Sequence, residues 1–244
     1  EALDVDGIIN LPKLKTHGQM YMTMGVKNIF GCVPGKKKLQ WHLTAGVDAP
    51  HFARMILDLY KTIAPRLNII DAILSMEGNG PGSGDPRQTN FIAASNDAIA
   101  LDTILAKVVG ADIAQIPVLN EAAKDNLAST DLEEIKLFGE EVAAVAVDDF
   151  KFPPLIHTNF ASYLPNFLDK RIRKALSARP KISVKDCSLC TLCARSCPPD
   201  IIKVGKKVEI DYDNCIRCYC CQEICPKGAI TIKEGWLKKL LPGF

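Results

Sequence analysis

The chain repeats one cysteine spacing twice near its C-terminus, and few folds can use such a repeat. The first run places Cys187, Cys190, Cys193 and Cys197 before Pro198; the second places Cys215, Cys218, Cys221 and Cys225 before Pro226. Both read C-x2-C-x2-C-x3-C-P, within an internal repeat of about thirty residues. A zinc ribbon needs only two C-x2-C pairs, with no third cysteine and no fourth before proline in each half. A disulfide framework needs a secreted context, and no signal peptide opens the chain. Ten cysteines, eight of them in this pattern, instead imply metal ligation in a reducing compartment.

The doubled spacing resembles that of bacterial two-cluster ferredoxins. In that pattern three thiolates of one run wrap three irons of a cubane, and the fourth cysteine ligates the other cluster. The resemblance therefore implies two [4Fe–4S] clusters with crossed ligation. Cys187, Cys190, Cys193 and Cys225 would hold the first, and Cys215, Cys218, Cys221 and Cys197 the second. Two cysteines are left over. Cys220 reads as a substitute ligand or, more plainly, as a small thiol beside the cluster. Cys32 reads as a packed loop thiol.

With 244 residues and 48% hydrophobic content, the chain can bury one sizeable core and carry a small module besides. A net charge of +2 argues against a general nucleic-acid binder. No apolar run has the length of a membrane span. These features point to the cytoplasm, in an anaerobic or low-potential setting. An apolar run lies at the very start with no initiator methionine before it, so preceding sequence is expected to be missing.

Residues 1–150 alternate β-like runs with helical periods, which predicts an α/β layered domain with a mixed or mostly parallel sheet. Expected strands are Val5 to Leu11, Leu67 to Met76, Phe91 to Ala94, Ile135 to Phe138 and Val142 to Val147. Expected helices are Pro50 to Ile63, Asp97 to Val109 with a cap at Asn96 or Asp97, and Ile116 to Leu127. Residues 151–180 read as a linker whose stretch Tyr163 to Leu176 forms a basic amphipathic helix. Residues 181–232 read as a small α+β ferredoxin-like module, with strand-like segments at Ile201 to Val204 and Ala229 to Ile232. Residues 233–244 form a tail whose stretch Trp236 to Leu241 is expected to pack on the module.

Four stretches of the first domain carry chemistry-bearing residues. They are Asn10 to His17; Gly25 to Gly35 with Lys36 to Lys38 and His42; Asp71 to Asp85 with its loop Gly78 to Gly84; and Ser95 to Asp102. Each has a plain structural reading as a solvated strand edge, a set of tight turns or a helix cap. The Gly-rich loop is neither a Walker loop nor a dinucleotide fingerprint. Taken together, the stretches predict a cationic pocket for an anionic small molecule at a strand's C-terminal end. Lys13, Lys15, Lys27 and Asn28 would bind the anion there, and His17 or Glu77 would handle protons. The ordered set of motifs resembles the domain of unknown function 362 family, whose members often carry a C-terminal two-cluster ferredoxin module. The resemblance implies iron–sulfur electron transfer and names no substrate.

Three functions fit these features. The first is an electron-transfer protein with two low-potential clusters and a redox partner protein. The second is a reductase whose α/β domain binds an anionic substrate or cofactor. The third is an assembly subunit of a redox complex. The sequence shows no nucleophile–base set and no flavin or nucleotide loop, so it leaves open whether the chain is an enzyme and whether it takes a flavin.

Overall fold

The computed structural model describes residues 1–127, 132, 134–153 and 178–233. Strand pairing begins at Ile8, whose carbonyl accepts the Arg66 N–H at 2.9 Å. From there the chain runs parallel to a long strand, β4 (Leu67–Glu77), as two short ones, β1 (Ile9–Asn10) and β2 (Lys13–His17). Pro12 separates them because it has no N–H to give to a ladder. β3 (Tyr21–Thr23) returns antiparallel on β2, and β5 (Asp85–Ser95) lies antiparallel on β4. The sheet is therefore mixed.

Helices cover one side of it. A short α1 (Gly25–Asn28) and a 3-10 turn (Ile29–Cys32) lead into α2 (Gly35–Ala45) and α3 (Ala49–Ile63). Asp48 caps α3 by accepting the His51 N–H at 2.9 Å, and Phe52, Ala53, Ile56 and Leu57 form its buried stripe. Asp97 caps α4 (Ala98–Val108) through the Ile99 and Ala100 N–H groups, and α5 (Pro117–Lys124) packs beside α3 and α4. Leu14, Met22, Phe52, Ile56, Ile70 and Leu105 sit in the common core. The far face of β4 and β5 leaves Ile73, Leu74 and Ile92 exposed.

The C-terminal module is built from two antiparallel pairs. β6 (Arg179–Ile182) pairs with β9 (Ile230–Lys233), and β7 (Ile202–Val204) with β8 (Val208–Ile210). Two one-turn helices, α6 (Leu192–Arg195) and α7 (Cys220–Glu223), stand at equivalent points of the repeat. The fold class expected from the sequence is the one observed.

Several elements differ from expectation. The run Val5 to Leu11 yields only Ile9–Asn10 as strand, because no neighbour among the described residues pairs with the chain before Ile8. The segment after it, expected at that strand's C-terminal end, is itself strand β2. Phe91 to Ala94 is the end of a strand that begins at Asp85. Ile135 to Phe138 pairs with no strand among the described residues, and Val142–Ala144 is a 3-10 turn. Cys32 is exposed at the end of its turn, not packed. The expected linker helix Tyr163 to Leu176 and the tail stretch Trp236 to Leu241 lie outside the described residues.

Candidate functional site

The cysteine runs fold around two small cavities. One is lined by Cys187, Cys190, Cys193 and Cys225, the other by Cys197, Cys215, Cys218 and Cys221. Each cavity thus takes three cysteines from one run and the fourth from the other. The backbone makes this wrap by turning left-handed at non-glycine positions. Leu189 and Thr191 in the first run have φ of 54° and 64°, and Arg217 and Tyr219 in the second have 54° and 59°. Such conformations are costly for L-residues and cluster at functional sites. They also aim N–H groups inward: those of Leu192, Arg217 and Ile201 reach the sulfurs of Cys190, Cys215 and Cys197.

The donor set fits the cubane cofactor better than a single ion. No three His, Cys, Asp or Glu side chains among the described residues converge closely enough to hold one metal ion. Zinc would need its sulfurs about 2.3 Å from one point, whereas each thiolate around a cubane takes its own iron. Apolar side chains close both cavities: Ile182, Val208 and Ile230 around the first, and Ile202, Ile210 and Tyr219 around the second. The two differ in exposure. Cys190 opens the first to solvent, while Cys218 and Cys221 are buried.

The second half of the module packs on the α/β domain through the Gly-rich loop that follows β4. Gln222 donates to the carbonyls of Asn79 at 2.8 Å and Gly80 at 3.2 Å, and Asn79 donates to the Ile230 carbonyl at 3.2 Å. The fit excludes side chains at two glycines. A Cβ on Gly82 would stand 2.9 Å from the Glu223 carbonyl oxygen, and one on Gly80 would collide with the Thr16 carbonyl.

His17 sits on the same seam. Its Nδ1 accepts the N–H groups of Gln19 at 3.1 Å and Met20 at 3.2 Å, so the ring proton belongs on Nε2. Nε2 stands 3.1 Å from Glu223 Oε1, although the contact is not aligned as a hydrogen bond. Burial pushes the His17 pKa down against the pull of Glu223, which favours the neutral imidazole. Burial alone would raise Glu223, but His17, Lys27 and His42 together hold its carboxyl at about 2. Burial also lowers Lys27, and it lowers His42 to about 4.

The structure brings some of the expected pocket residues together and leaves others apart. Lys27 and Asn28 line a cavity between the domains, and His17 reaches the same Glu223 from behind. Lys13 points away, with Nζ 2.7 Å from Asp71 and 3.1 Å from the Leu74 carbonyl. Lys15 lies on strand β2 between Thr23 and Met76 in register and does not line the cavity. Glu77 is buried elsewhere, accepting the Lys151 N–H at 3.2 Å. Sequence reasoning missed Glu223 as a partner of His17. The available signal was a carboxylate inside the second cysteine run, on the helix turn that presents Cys221.

Residues 1–107 match the model of the domain of unknown function DUF362, and residues 179–226 that of the 4Fe-4S dicluster domain. The chain is 46% identical over 157 residues to a thylakoid-associated protein, sll1697, of Synechocystis sp., covering 64% of this chain and 48% of that protein. It is 43% identical over 51 residues to an uncharacterised protein, MJ0749, of Methanocaldococcus jannaschii, covering 21% and 20%. It is 38% identical over 47 residues to a ferredoxin of Methanothermococcus thermolithotrophicus, covering 18% of this chain and 78% of the ferredoxin. The chain thus spans about half the length of the first relative or less of the second. Among the described residues no helix is long and apolar enough to cross a membrane. The chain carries a DUF362 domain at residues 1–107 and a 4Fe-4S dicluster domain at residues 179–226.

Proposed function

We propose that the chain is an iron–sulfur electron carrier that holds two [4Fe–4S] clusters by crossed ligation and relays electrons to or from a partner protein. The observation that carries the reading is the lining of the two cavities, each with three cysteines of one run and the fourth of the other. When bound, such clusters exchange single electrons, and the low potential proposed here rests on the lack of a histidine ligand of the kind that raises it in Rieske centres. The chain's own residues do the rest. The eight cysteines bind, and the N–H groups at the left-handed turns stabilise charge on the sulfurs. Ile182, Ile202 and Ile230 keep water out. The exposed edge at Cys190 and Leu189 is where a redox partner docks, since it brings a cysteine of the first cavity to the surface. In this reading residues 1–150 form the α/β domain, residues 181–232 the module, and the protein works in a reducing, cytoplasmic compartment.

The test is anaerobic purification with iron and sulfide analysis, followed by Cys197→Ala. Wild type should hold about eight irons and eight sulfides, two cubanes' worth. The variant should lose the electron paramagnetic resonance signal of the cluster on Cys215, Cys218 and Cys221 and keep the other. A zinc-only protein, or loss of the cluster on Cys187, Cys190 and Cys193 instead, would overturn the reading.

A further inference from the structure

The cavity between the domains has a volume of about 700 Å³, within the range of small-molecule sites. Its α/β wall includes Thr23, Lys27, Phe30, Lys38 and His42, and its module wall includes Cys220 and Glu223. Two buried polar atoms in the first wall find no hydrogen-bond partner among the described residues: Thr23 Oγ1 and His42 Nδ1. His42 is only 5% exposed, and its ring is fixed 4.6 Å from that of Phe52 and edge-on to Phe30 at 5.6 Å. A buried polar group held this rigidly without a partner is costly, and such groups in a native fold call for an explanation.

The charges ask for the same thing. Lys27 Nζ lies 4.9 Å and Lys38 Nζ 5.9 Å from the centre of the Phe30 ring, so two ammonium groups gather at one aromatic ring. The same lining holds one carboxylate, Glu223 of the module wall. Lysines recognise anions as compact point charges, which suits a carboxylate or a phosphate. Phe30, Leu39 and Ile224 offer apolar surface beside the charges.

We propose that this cavity binds a small molecule bearing a carboxylate or phosphate group, with the anion on Lys27 and Lys38 and a second polar group on Thr23 and His42. Cys220 forms part of the wall and lies between Cys218 and Cys221, so the bound molecule sits directly beside the second cysteine cavity. The binding site stands on the α/β residues and does not depend on how the clusters are ligated.

The test is isothermal titration of the full, iron-loaded chain with inorganic pyrophosphate in one arm and succinate in the other, both anaerobic. At least one probe should bind saturably near one per chain. Lys27→Gln and Lys38→Gln should each weaken it about tenfold, the loss of one charge-assisted contact. Lys61→Gln, on the outer side of α3, should change nothing. If Lys27→Gln loses its iron, the half-buried Lys38 on α2 decides the matter with Lys38→Gln alone. Saturable binding of neither probe to the wild type, or unchanged affinity in every folded lysine variant, would overturn the proposal.

Discussion

Asp102 places a carboxylate where the interior offers it backbone N–H groups. It is fully buried and accepts the N–H groups of Gly25 at 2.7 Å and Val26 at 2.9 Å, which ties α4 to the start of α1. Burial outweighs those bonds and pushes its pKa up to about 7. A carboxyl raised in the folded state binds its proton more tightly there than in the unfolded chain. Its stabilising effect is complete below the ordinary carboxylate range and is lost as pH rises through about 7. Asp102→Asn cannot titrate, and it removes one acceptor at a cost of about 1–3 kcal/mol. The gap in thermal midpoint between wild type and Asp102→Asn should therefore narrow steadily as pH rises from 5.5 to 8. A constant gap across that range would contradict the argument. At the same scale, Cys220 lines neither of the two cysteine cavities. Cys220→Ser should keep the full iron and sulfide content, and loss of either cluster on analysis would show that the thiol is a ligand.

Among the elements, the Gly-rich loop after β4 joins the two domains. Gly82→Ala puts a methyl group 2.9 Å from the Glu223 carbonyl, against backbone that cannot swing aside. Overpacking of this kind costs about 1–3 kcal/mol. Hydrogen exchange should quicken at α7 and along Asn79–Gly82 while the α3 core keeps its protection; unchanged exchange at the seam would mean the contact is not rigid. The loop also shows what a sequence reveals and what it hides. Its glycines were legible as turns, but their closeness to Thr16 and Glu223 is set by tertiary packing. Helix α3 and strand β4 were legible because a cap or an apolar period marks them locally. Strand β2 was not, since Lys13 and Lys15 beside Pro12 look like a solvated edge until β4 pairs with them. Ile135 to Phe138 erred the other way: the run has strand composition but no partner among the described residues. The cysteines were legible for a similar local reason, because short spacing alone brings three of them together. The cavity between the domains was only half legible. Lys27 and Asn28 stand in a recognisable motif, whereas Thr23 and Glu223 meet them only across the seam.

The whole molecule divides its stability unevenly. The α/β domain has a broad apolar core from Leu14 to Phe150, whereas the module has two small buried clusters, one of Ala178, Tyr219 and Ile232 and one of four side chains, Ile202 and Ile230 with Cys193 and Cys221. Two of those four side chains belong to the proposed ligand set. A module of this size buries too little apolar surface to fold alone without cross-links or metal. When a site does not exist in the unfolded chain, metal binding free energy becomes folding free energy. Removing iron with a chelator under reducing, anaerobic conditions should therefore loosen the module and leave the larger domain standing. Hydrogen exchange should lose its protection across residues 178–233 and keep it on α3, α4 and β4. The heat denaturation of the apoprotein should split into two steps, with the module melting first. The seam adds a further consequence. Gln222 and Glu223 would leave Gly80 and His17, so protection at β2 should fall as well, though less than in the module. Retention of full protection in the iron-free module would show that its strands and the α/β surface suffice to fold it. Collapse of both domains together would show that the seam binds them into one cooperative unit.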